Sequence, residues 1–128
     1  MADVSIANTL ITALNTDQVL TKNAATSTVI DETQDFIYTP TGKDEKIAIL
    51  IEVADSHGAV AFSIAGGDGV FGTVAKTSSV AQATTDVIQI ETGRYMQTGG
   101  TIVITFTPAS GKRLLTDHAL KVSVIELR

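Results

Sequence analysis

The sequence has no cysteine among its 128 residues. That excludes a disulfide framework and any Cys-ligated zinc or iron–sulfur centre, and leaves the redox compartment open. Tryptophan is absent as well, and two Tyr and four Phe leave the core to aliphatic side chains. The longest aliphatic run is Ile47-Ala48-Ile49-Leu50-Ile51, far short of the ~20 apolar residues of a membrane helix, so no membrane partner is expected. Basic residues are few: nine Lys and Arg, scattered, stand against 14 Asp and Glu, for a formal net charge of −5. Neutralising phosphates takes clustered positive charge, so nucleic acid is not expected as a partner either. The opening Met-Ala-Asp-Val-Ser has no basic region leading into an apolar stretch, and no secretory leader is expected.

What is present is β-branched. Thr (19), Ile (13) and Val (12) supply 44 positions, whereas Leu supplies 8. Branching at Cβ stiffens χ1, which disfavours helices and suits a pleated, half-buried surface. A hydrophobic content of 44% excludes whole-chain disorder, and the length suits one domain with a core of its own.

Along the chain, Val4, Ala7, Leu10, Ile11 and Leu14 fall at helical spacing, while Leu10, Thr12 and Leu14 also alternate. Residues 1–25 therefore read as an N-terminal arm or a short helix. Thr28–Ile30 and Phe36–Thr39 read as short strands before Pro40-Thr41-Gly42. Lys46–Ala54 carries the clearest alternation, with Ile47, Ile49, Ile51 and Val53 on one face. Asp55-Ser56-His57-Gly58 is a turn, and Ala59–Ala65 is expected to return as the second arm of an antiparallel hairpin. Further strands are expected at Thr85–Thr92, Thr101–Thr107 and Ala119–Leu127, the last with Leu120, Val122 and Val124 inward. Seven or eight short strands between turn signals spell an all-β fold. The expected architecture is an antiparallel, jelly-roll-like β-sandwich over 26–128, preceded by the arm.

Chemistry-bearing patterns are sparse. Gly67-Asp68-Gly69-Val70-Phe71-Gly72 matches G-x-G-x-x-G, and Asp86 follows. A dinucleotide site needs a helix opening at those glycines. Thr73–Thr85 has no helical stripe, so the reading is a glycine loop with positive-φ positions. Asp55-Ser56-His57 holds triad letters, yet adjacent turn residues do not form a geometry assembled across a fold. His57 and His118 have no metal-ligand spacing. Asp31-Glu32 with Asp35, and Asp44-Glu45, read as solvated charge without a calcium-loop pattern. No catalytic residue, cofactor or metal emerges. Arg94 and Tyr95 belong to types enriched at interfaces; alternatively Tyr95 packs on the sheet rim and Arg94 meets Glu91.

A family resemblance covers roughly residues 43–128. It runs through Lys43-Asp44-Glu45-Lys46 and the strand after it, Ala65–Gly72, Ile90–Gln97, Gly100–Thr105 and Val122–Leu127. This succession resembles the small β-sandwich decoration, or cement, proteins of tailed-bacteriophage heads. The resemblance implies a non-enzymatic virion protein, made in the host cytoplasm, that binds the outer capsid surface and stabilises it. It implies the major capsid protein and neighbouring copies as partners, with trimers at local three-fold positions. Candidate contact residues are Val4, Ile6 and Leu10 of the arm with Asp68, Phe71, Arg94 and Tyr95 of the loops. Competing readings are a carbohydrate- or receptor-binding sandwich, against which the shortage of aromatics weighs, a metal-dependent jelly-roll enzyme, and a tail or baseplate subunit.

Overall fold

Alternation puts one aliphatic face on each long strand, and two such faces meet at the centre of the fold. The computed structural model describes residues 2–11, 17–41, 46–69 and 72–127. Its strands are β1 (Val4–Ser5), β2 (Thr9–Ile11), β3 (Asn23–Ala24), β4 (Gln34–Tyr38), β5 (Lys46–Val53), β6 (Val60–Ile64), β7 (Lys76–Val80), β8 (Thr84–Glu91), β9 (Ile102–Thr107) and β10 (Lys121–Leu127). One helical turn, α1 (Thr92–Tyr95), follows β8. The first sheet has the order β1-β4-β9-β6-β7; the second is β2-β10-β5-β8, with β3 also on β10. The protein is an all-β sandwich.

Between the sheets lie Ile47, Ile49, Ile51 and Val53 of β5 and Val122 and Val124 of β10. Facing them are Phe36 and Tyr38 of β4, Val60, Phe62 and Ile64 of β6, and Ile102, Ile104 and Phe106 of β9. Phe106 sits between two rings, edge-on to Phe36 at 5.1 Å and tilted against Phe62 at 6.0 Å. Burying side chains of this size contributes roughly 1.5–3 kcal/mol each. Leu120, Val122 and Val124 point inward as expected.

Several expectations are corrected. β5 and β6 do not pair as a hairpin; they belong to opposite sheets. β5 already has β10 on one edge and β8 on the other, so its aliphatic face meets β6 across the core. Thr28–Ile30 is no strand: Asp31 takes φ 60, and Val29 and Ile30 are half-exposed on the turn it closes. Backbone groups there bond to the 110–115 loop instead, Asp31 N–H to Lys112 O and Leu115 N–H to Ser27 O. β7 was not foreseen, because Lys-Thr-Ser-Ser-Val on a sheet edge is mostly exposed and does not alternate.

The N-terminal segment takes the extended one of its two expected forms. Residues 4–11 are extended rather than helical, and the described part of 1–25 is sewn into both sheets. β1 lies parallel to β4, β2 parallel to β10, and β3 antiparallel to β10, so the sheets are mixed. Parallel pairing follows because the segment enters both edges from the same end. Side-chain amides fasten it. Asn23 Nδ2 donates to Ala7 O and Val122 O, and its Oδ1 accepts from Ala7 N–H. Gln34, 1% exposed, accepts from Thr26 N–H and Ser27 N–H through Oε1 and donates to Ala2 O and Thr26 Oγ1 through Nε2. Asn8 Nδ2 donates to Tyr38 Oη and to the buried Glu126 carboxylate, which also accepts from Thr41 N–H and Oγ1.

Gln34→Leu leaves the buried Ser27 N–H without this partner, and the part-buried bonds to Thr26 and Ala2 are lost with it, at about 1–3 kcal/mol for each group that water does not reach. Urea unfolding is expected to show that loss, while Thr107→Ala, on an exposed position, stays within about 0.5 kcal/mol of the parent.

Candidate functional site

Two glycine- and polar-rich stretches lie about 25 positions apart in sequence and meet at one end of the sandwich. β6 ends at Ile64 and releases Ala65–Gly69; β8 ends at Glu91 and releases α1 and Met96–Thr101. Their backbones are joined directly. Gly67 N–H and Thr73 N–H both donate to Arg94 O at 3.1 Å, and Asp68 N–H donates to Met96 O at 3.2 Å. Gln97 Nε2 reaches Gly66 O, and Asp68 Oδ2 accepts from Thr98 N–H and Thr98 Oγ1.

This contact explains Gly67, and close backbone approach within the loop itself explains Gly66 and Gly72, which corrects the expected reason for them. None of Gly66, Gly67, Gly69 or Gly72 has positive φ; the described glycines that do are Gly58, Gly100 and Gly111. A Cβ on Gly67 would meet Arg94 O at 2.5 Å, and one on Gly66 or Gly72 would strike backbone of Thr73 or Gly67. The requirement is backbone approach. The residues after Gly72 lead into β7, so no helix opens there and the dinucleotide reading has no structural basis.

Of the candidate contact residues, the structure brings together Asp68, Arg94 and Tyr95. Asp68 is exposed, with its carboxylate tied to Thr98. Arg94, its side chain 57% exposed, donates from Nε to Glu91 Oε2 at 3.0 Å, the local pairing weighed from sequence. An exposed pair of this kind contributes little to stability. Tyr95 is half-buried against the core. Arg94 and Tyr95 line a shallow depression of ≈ 280 Å³ with Lys76, Gln89, Ile90 and Glu91. Phe71 lies outside the described residues. Val4, Ile6 and Leu10 are not with this group: Ile6 is 8% exposed in the core, Val4 packs against it, and Leu10 is half-buried on β2. Their apolar surface is largely used by the chain itself. Lys76 and Gln89 were missed, and only the pairing of β7 and β8 with their neighbours places them here.

The histidine loop is the other place with notable chemistry. His118 is fully buried, and its Nε2 accepts Ala109 N–H at 3.1 Å. The neutral ring therefore carries its proton on Nδ1, which has no hydrogen-bond partner among the described residues. Its pKa lies below the usual histidine range, chiefly through burial; Asp117 opposes the shift, His57 and Lys112 reinforce it, and Asp55 opposes it. Among the described residues no group of three or more His, Asp or Glu is placed to hold a metal ion. The charged cluster noted from sequence is partly structural: Asp31 Oδ1 accepts Gly111 N–H, Ser27 Oγ donates to Glu32, and Thr105 Oγ1 donates to Asp35.

Comparison with known proteins gives no match to a family model, to a curated protein or to a solved structure.

Gly67→Ala is expected to destabilise by about 1–3 kcal/mol, since overpacking displaces backbone, whereas Gly69→Ala, which meets nothing within 4 Å, is near neutral; thermal unfolding of the two variants side by side decides it. For His118 the sign runs one way. The unfolded imidazole takes up a proton below about pH 6.5, and the folded one resists to lower pH. Between those points the unfolded state holds more protons, so stability falls as pH falls through the window and is unaffected by this group above it. Urea midpoints at pH 7.5 and pH 5 should therefore differ more for the parent than for His118→Gln.

Proposed function

We propose that this chain is a non-enzymatic structural protein of a phage virion, a decoration protein that binds the outer surface of an expanded capsid and stabilises it. One observation carries the reading. Two of the stretches that carry the family resemblance, Ala65–Gly72 and Ile90–Gln97, are docked on each other through Gly67, Asp68, Arg94 and Met96. A joint fixed by backbone hydrogen bonds, with Arg94 and Asp68 exposed on it, suits a docking end. The partners are the major capsid protein and neighbouring copies. A disulfide-free aliphatic sandwich suits the role as a stiff, pre-formed wedge, because little ordering is needed when it binds. Its action is mass action: it binds the assembled lattice and not free subunits, contributing about 2.7 kcal/mol per site at 100 times Kd.

The test mixes the purified chain with expanded heads that lack a decoration protein, followed by sedimentation and electron microscopy. Saturable binding with new density on the outer surface is expected. Failure to co-sediment, or density confined to the tail, rejects the reading. Arg94→Glu is expected to weaken the Kd for heads about tenfold, near 1.4 kcal/mol, with no change in thermal unfolding.

A further inference from the structure

We propose that the side of the sandwich bounded by β7 and β8 is a docking surface for a second copy of this chain, related by a two-fold axis. The sandwich has two lateral sides. One is closed by the chain's own N-terminal segment, and its edge strands are short: β1 has two residues and β2 has three. The other side has the longer edges, five residues in β7 and eight in β8, and neither carries a further strand among the described residues. β8 pairs with β5 in unbroken register from Thr84↔Val53 to Glu91↔Lys46, without a bulge. It contains no proline and no lysine, and the inward-pointing charges, Asp86 on β8 and Lys76 on β7, guard these edges against a lone uncharged strand.

The surface chemistry of this flank favours association. Thr73–Ile90 spans 18 residues with two charges, Lys76 and Asp86, of opposite sign. Charge depletion of this kind marks interface centres. Val74 (84% exposed) and Val87 (64%) are among the most exposed large apolar residues described.

The two charges identify the occupant. Lys76 is in register with buried Ile64, and Asp86 with buried Ile51, so both side chains stand on the core-facing side of their strands. Both residues are nevertheless exposed, because the core ends before reaching them. Neither side chain makes a hydrogen bond or an ion pair with a described residue; Lys76 shares its depression with Glu91 and Arg94, which pair with each other. A lone strand added to either edge covers one charge and leaves the other sheet open. A second copy turned through 180° presents two edges to two edges. Both sheets then continue across the joint, which encloses two Lys76 and two Asp86 with no net charge. Such a self-complementary patch is what an isologous interface requires. The joint names the contact between copies within the capsid reading and differs from the three-fold clustering that the resemblance implies.

The experiment is sedimentation velocity and light scattering of the whole chain in solution, without heads, so that its failure is distinct from a failure to bind capsids. The parent is expected to be a dimer. Lys76→Asp gathers four carboxylates in the joint and Asp86→Lys four ammonium groups, so each variant alone is expected to be a monomer, its dimer constant weakened about 30-fold or more. An equimolar mixture of the two restores neutrality and is expected to recover the dimer mass, as is the double variant. Both sites are exposed, and circular dichroism checks the fold. A monomeric or trimeric parent, single variants that dimerise like the parent, or a mixture that stays monomeric overturns the proposal.

Discussion

Everything in this fold depends on keeping water out of a single aliphatic layer. Two sheets enclose Ile47, Ile49, Ile51, Ile102, Ile104 and their neighbours, and a layer that thin has sides as well as faces. The chain closes one side with its own N-terminal segment. That segment is held less by apolar contact than by amide side chains standing in for missing strand partners. Asn23 and Gln34 act where a regular ladder stops, and Glu126, wholly buried, collects donors from Asn8 and Thr41. Buried polar groups of this kind are stabilising only when fully satisfied. They also fix which strand lies beside which, since any shift in register breaks several bonds at once.

At one end of the sandwich a second constraint takes over. The approach of Gly67 to the Arg94 carbonyl leaves no room for a side chain, so loop and helical turn are fitted to each other. Arg94 and Asp68 project from that joint already positioned, Arg94 by Glu91 and Asp68 by Thr98. A surface arranged in this way loses little freedom when something binds to it, which fits the proposed docking role.

The long strands were legible because burial on one face writes a period of two into the sequence. Ile47 to Val53, Ile102 to Phe106 and Val122 with Val124 are found where alternation put them. What stayed hidden is long-range. Alternation says which face of β5 is inward and nothing about its neighbour, so the β5–β6 hairpin was the natural error. Strands of two or three residues such as β1 and β2 carry no period at all; their extended form comes from the edges of β4 and β10. Thr28–Ile30 has β propensity but no free edge to join, and the turn at Asp31 prevails. In the candidate site, Arg94, Tyr95 and Asp68 were legible as residue types. Lys76 and Gln89 were not, because only the sheet order places them beside Arg94.

The stitching of the N-terminus has a temporal consequence. Asn8 contacts Glu126, 118 positions later, and β2 has no partner until β10 exists. The earliest part of the described chain to leave a ribosome must therefore wait, extended and unpaired, for nearly the last. Contacts so distant in sequence make for slow assembly and a long exposure of strand edges. During that interval a nascent chain is vulnerable to pairing with its neighbours on the same message, and crowded synthesis is the condition under which this protein should most need chaperones.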